Sequence, residues 1–222
     1  MVVTIVLSVV CAMAFWPPLA ELYNNFNREH GLWMSFIKFA LLATFGESLA
    51  LRLRSGQYNA PGFGLIPRAI VWGFLGLTIK MAFVIFSSGT PAFLAYMGFS
   101  EAGTTLKSGI SLAKLGVAFS ISTAMNLIYA PVMMTLHKIT DMHIQSTGGS
   151  ISGLFSPIEF RKHFNSLDWD RQWNFVFKKT IPFFWIPAHT ITFLLPEQIQ
   201  VLFAALLGIA LGILLSLSGK KK

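Results

Sequence analysis

Apolar positions along this chain gather into five long runs, at about 32–51, 66–87, 108–136, 176–195 and 198–217. Each supplies the roughly 20 apolar residues that a helix needs to cross a hydrocarbon core of about 30 Å. In lipid the backbone must satisfy its own polar groups, so runs of this length predict helices rather than barrel strands. Five such runs could not all be buried in a soluble chain of 222 residues. The pattern therefore predicts an all-α, polytopic membrane bundle over 32–217, with five long transmembrane helices.

The chain opens on a further apolar segment, 1–22, which reads as a short span or a signal-like helix. Ala12-Met13-Ala14 would suit a signal peptidase, but no Lys or Arg leads it. Trp16-Pro17-Pro18 is expected to end that helix, because proline cannot continue one. Between the third and fourth runs lies the longest connection. There Ser156-Pro157-Ile158-Glu159 has the form of a helix start. Trp169, Trp173 and Phe177 follow at every fourth position. An amphipathic helix over 156–175, lying on the membrane surface, is the expectation; a cap packed across the bundle is the alternative. A basic tail, 218–222, closes the chain.

Charge gives the bundle an orientation. Arg52, Arg54, Arg68, Lys138, Arg161, Lys162, Arg171, Lys178, Lys179 and Lys220 to Lys222 fall on one set of alternate connections. Only Arg28 and Lys107 fall on the other, which makes 12 against 2; Lys38, Lys80 and Lys114 inside the runs complete the 17. The positive-inside rule puts the first set inside. A net charge of +8 could suggest nucleic acid, but these residues flank apolar segments, where anionic headgroups explain them more simply. The expected partners are the bilayer and anionic lipid at its inner face, held by Arg161, Lys162, Lys178 and Lys179, and no nucleic acid. Gly208 and Gly212 have the small-xxx-small spacing of packed membrane helices and offer a homo-oligomer contact. Gly73 and Gly76 offer similar small surfaces in the second run. Cys11 is the only cysteine, so no internal disulfide forms.

Ionisable groups inside spans are costly and so become functional candidates. Lys38, Lys80, Lys114 and His189 fall six or seven residues from the outer ends of their runs, about 9–11 Å deep. Glu47, Asn126 and His137 lie towards the inner side. One reading is a polar cavity or pore, with cations selecting anions and Glu47 and Asn126 forming an inner contact. The plainer alternative is that the lysines extend their ammonium groups to the headgroups. Glu47, beside Gly46, is expected between helices with a hydrogen-bonding partner. Pro182, Pro187 and Pro196 would kink the run that carries His189. No nucleophile elbow, phosphate loop or His-Glu-x-x-His motif is present, and His137 and His143 lack a ligand cluster. No catalytic residue, metal or cofactor is expected.

The order of these marks resembles the Mpv-seventeen and small peroxisomal membrane protein family. The matching features are Gly46-Glu47-Ser48, Arg68, Gly76, the Phe83 to Phe86 stretch, Asn126 with Pro131, Trp185-Ile186-Pro187, Phe193, Pro196 and Leu215-Ser216. The family's adjacent Trp-Pro is split here by Ile186, and its Asn-Phe is Thr192-Phe193. The resemblance implies a compact multi-helix membrane protein, some of whose relatives are regarded as channels. The expectation is a small-solute, anion-leaning channel or transport-related protein in a bacterial-type cytoplasmic membrane. An organellar membrane is the alternative location. A structural or lipid-organising protein, or a lipid-modifying enzyme, is the alternative function. On the pore reading, Lys80→Met changes ion selectivity.

Overall fold

A computed structural model describes residues 16–218 of the chain. Residues 1–15, with Cys11, and the tail from 219, with Lys220 to Lys222, lie outside the described residues. The described residues are all-helical. In order they form α1 Pro17–Glu29, α2 Gly31–Ser55, α3 Leu65–Tyr96, α4 Ala102–Lys107, α5 Leu112–Ser146, α6 Ile151–Leu154, α7 Phe160–Asn165 and α8 Trp169–Arg171. A π-helix, Gln172–Trp185, then leads into α9 Ile186–Leu194 and α10 Glu197–Ser218.

Among the described residues, four helices are long and apolar enough to cross a membrane: α2, α3, α5 and α10 over Glu197–Leu214. By length and composition this is a multi-pass integral membrane protein. The fifth expected span is not among them as a single helix. The run at 176–195 is divided between the π-helix, of 14 residues, and α9, of nine. Its prolines explain the division. Pro182 lies inside the π-helix and Pro187 in the first turn of α9. Neither can donate to a carbonyl one turn back, and the wider register absorbs the mismatch.

Other boundaries also moved. Pro17 and Pro18 open α1, where a first turn needs no N–H from them, and the helix expected to end ahead of them lies outside the described residues. α3 and α5 have 32 and 35 residues, about 48 and 52 Å at 1.5 Å per residue, so they outrun the hydrocarbon core. The 156–175 stretch is not one amphipathic helix. Ser156 turns its hydroxyl back to the Gly153 carbonyl at 2.7 Å, and the helix starts only at Phe160. Asp168 then caps α8 by accepting the Arg171 N–H at 2.9 Å. The two tryptophans of the expected stripe are exposed, and Trp173 meets the Phe177 ring edge-on at 6.0 Å.

Small residues let the long helices approach. The position of a Cβ on Gly46 lies 3.1 Å from the Ile209 Cα, and one on Gly76 lies 2.7 Å from the Ser35 carbonyl oxygen. Gly212 packs towards the Gly46 carbonyl and Ala50 of its own chain. In lipid such contacts supply the packing attraction that the hydrophobic effect does not. Around them Phe39, Ile79, Phe83, Ile121, Met125 and Phe193 form the core.

At the basic end two turns are pressed together. Gly64 caps the start of α3 with φ +69°, and Gly149 follows α5 with φ +71°. A Cβ on Gly149 would stand 2.7 Å from the Gly64 nitrogen. Backbone cannot yield there, and a left-handed φ costs a side chain about 1–2 kcal/mol on its own. Gly149→Ala is expected to lose at least that much stability. Thermal unfolding in detergent beside Gly148→Ala, which has a similar φ but open space, separates the contact from the backbone strain.

Candidate functional site

The clamp of the two turns sets the first turn of α3 against the last turns of α5, and there a charge network forms. Arg68 is 5% exposed. Its Nε donates to the Phe63 carbonyl at 2.7 Å, and its guanidinium lies 4.6 Å over the Phe63 ring. Its Nη1 donates to Glu47 Oε2 of α2 at 2.5 Å and to Asp141 Oδ1 of α5. Glu47 Oε1 accepts from Trp72 Nε1 at 3.0 Å and is 2.9 Å from His137 Nε2. A carboxylate only accepts, so His137 presents Nε2–H to Glu47. His137 Nε2 also lies 3.9 Å from Asp141 Oδ2, and its ring packs on Trp72 at 4.3 Å. Three helices are thereby joined through one guanidinium.

Glu47, His137 and Asp141 could offer ligand atoms within 4.8 Å of one another to a metal ion. Arg68 already supplies the cation between the two carboxylates. A metal would have to displace a buried arginine, so the donor set fits an ion network better than a metal centre.

A second polar cluster lies deeper. Asn126 Nδ2 donates to the Ser122 carbonyl at 2.8 Å, and its amide lies within 3.1–3.3 Å of His189 Nδ1. Ser122 Oγ donates to the Ile186 carbonyl at 2.7 Å. Trp185 stacks on His189 at 5.2 Å, and Phe83 meets it edge-on at 5.8 Å. The kink region is thus tied to α5 by side chains.

Both clusters line one cavity of about 590 Å³. Its walls come from α2, α3, α5, the π-helix, α9 and α10. Arg54, Lys138 and Arg171 also line it, are exposed, and so form its mouth. None of the three has an ion-pair partner among the described residues. Gly208 faces the cavity, with open space where a Cβ would stand.

Of the six candidate pore residues, Glu47, Asn126 and His189 reach this cavity. The other three lie elsewhere. Lys38 is buried and donates to Asn27 Oδ1 at 2.5 Å, 5.2 Å from the Tyr23 ring centroid, which holds α1 against α2. Lys80 pairs with Glu197 at 3.2 Å. Lys114 donates to the Ser108 carbonyl at 2.8 Å, just before its own helix. Among the candidate lipid contacts, Arg161, Lys162, Lys178 and Lys179 are exposed. Lys162 pairs with Glu159 at 2.6 Å and holds that carboxyl below its ordinary range. Lys178 lies 5.8 Å from the Trp173 ring centroid. Pro196 stands just ahead of α10.

Arg68, Trp72 and Asp141 were not candidates in the sequence. The available signal was the i, i+4 spacing of His137 and Asp141, which puts both on one face of α5. Comparison with family models, curated proteins and solved structures returned no match.

Proposed function

We propose that this is a transport-related membrane protein, whose inter-helical cavity admits a small, anion-leaning solute from the basic side. The cavity carries the reading: about 590 Å³ lies within the ~300–1,000 Å³ usual for small-molecule sites. Its mouth has three exposed cations without ion-pair partners among the described residues, while its two wall carboxylates are engaged by Arg68. Unpaired cations there attract anions, as rings of Lys or Arg do in anion pores. Selection therefore falls to Arg54, Lys138 and Arg171, and not to Lys38, Lys80 and Lys114. In this reading residues 169–194, helical throughout, make a fifth crossing with the π-register inside it. The resemblance to the Mpv-seventeen family and a bacterial-type cytoplasmic membrane belong to the same proposal. A lipid-organising protein is the second reading, favoured by the exposed Arg161 and Lys179 and by exposed Lys178 over the exposed Trp173 ring.

Anion flux into liposomes tests the two. Protein-dependent flux is expected, strongly reduced in Gly208→Phe, whose ring would fill the cavity, and unchanged in Lys80→Met. Absence of flux from folded, inserted protein across several anions and voltages leaves the lipid-organising reading.

A further inference from the structure

The cavity is not uniform along its length. Lys138, Met134, Ala130 and Asn126 recur every four residues on α5, and all of them line it. From Lys138 to Asn126 is 12 residues, about 18 Å at 1.5 Å per residue. Half of a hydrocarbon core, the depth of one leaflet, is about 15 Å. The site therefore runs from a cationic mouth along an apolar path as long as one acyl chain. Phe39, Ile79, Phe83, Met125, Met133 and Met134 wall that path. Methionines are unbranched and polarizable, and adapt to a flexible guest better than branched side chains do. Several polar groups along the path are engaged, Glu47 and Asp141 by Arg68 and Asn126 by Ser122 and His189, and these ask nothing of a hydrocarbon chain. His137 Nδ1 and Trp185 Nε1, on two other lining residues, are buried without a hydrogen-bond partner among the described residues.

We infer that the cavity binds a single-chain amphiphile with an anionic head, such as a long-chain fatty acid. Its head lies against Arg54, Lys138 and Arg171, and its chain runs along α5 towards the Asn126–His189 pair. A two-chain phospholipid would have to place twice that hydrocarbon behind one head, in a cavity within the size usual for a single small-molecule site. The inference rests on the cavity being a solute site and names the class of that solute.

The test is direct binding of radiolabelled palmitate to purified protein in phosphatidylcholine nanodiscs, with butyrate, hexadecanol and phosphatidylglycerol as competitors. Saturable palmitate binding is expected, with hexadecanol a weak competitor and butyrate and phosphatidylglycerol ineffective. Gly208→Phe, matched to wild type in circular dichroism and thermal midpoint, should lose most of it. Neutralising Arg54, Lys138 and Arg171 together to Gln should weaken it about tenfold or more, each cation contributing to attraction of the anionic head. Lys80→Met should bind as wild type does. Butyrate competing as well as palmitate would overturn the chain requirement and leave the small-anion cavity standing. Equal competition by phosphatidylglycerol would assign the site to a bilayer lipid and overturn the inference. Palmitate binding that ignores both Gly208→Phe and the triple change would place it outside the cavity. Intact palmitate binding without anion flux removes transport alone and leaves the inference in place.

Discussion

Arg68→Leu is expected to lower stability by about 3–5 kcal/mol, the cost of removing one partner from a buried ion pair. The leucine itself is not the main problem, since it replaces the buried arginine with an apolar side chain of similar volume, though a shorter one. The cost lies in what remains. Glu47 and Asp141 keep their charges but lose the guanidinium between them, and the Phe63 carbonyl loses its donor. Arg68→Lys should fall between the two, because a single ammonium cannot replace the planar fork that reaches Glu47, Asp141 and the Phe63 carbonyl. Adding Glu47→Gln and Asp141→Asn to Arg68→Leu should restore much of the loss, since neutral partners no longer require a cation. Thermal unfolding of purified protein in one detergent reads the whole series. Raising salt should not reproduce the single-variant loss, because buried pairs are poorly screened. An Arg68→Leu protein as stable as wild type would show that the network carries no weight in the fold.

The network also shows where sequence reading stops. Glu47 was legible as a group needing a partner, because a short acidic side chain beside Gly46 cannot reach the headgroups. Its partners were not legible. Arg68 stands at a helix start among other basic residues, where a flanking charge is the ordinary reading, and it joins Asp141 across 73 positions. Depth misled in a different way. Counting residues from the span ends put Lys38, Lys80, Lys114 and His189 in one layer, but depth says nothing about the face of the helix. Only His189 faces the cavity, while Lys80 turns to Glu197 and Lys114 to the chain before its own helix. The apolar runs located α2, α3, α5 and α10 well, since any helix in lipid needs such a run. They placed the ends of α3 and α5 poorly, because helices continue into water once hydrogen bonds are established. The prolines of the run at 176–195 announced a kink but not its form, as neither they nor hydropathy record which carbonyl each N–H meets.

Gly76→Val should be the most damaging substitution of a glycine inside a span, and the reason is what stands opposite. A Cβ at Gly76 would meet the Ser35 carbonyl oxygen at 2.7 Å and the Phe39 Cβ at 2.8 Å. Both belong to or adjoin the backbone of α2, so relief requires the two helices to separate. Their separation would also loosen Glu47 from Arg68 and Trp72, which lie along the same pair. Overpacking of this kind costs about 1–3 kcal/mol and sometimes more. Gly73, one turn earlier, provides the contrast. There the nearest atoms to a Cβ are the far edge of the Phe36 ring, at 2.4–2.7 Å, and Phe36 is half-exposed. That ring can swing towards lipid, so Gly73→Ala should be nearly silent while Gly76→Ala already lowers the thermal midpoint and Gly76→Val lowers it further. If the two alanine variants unfold together, helix contact at Gly76 is not what holds α2 and α3 at this distance, and the cavity between them must be held open by the charge network alone.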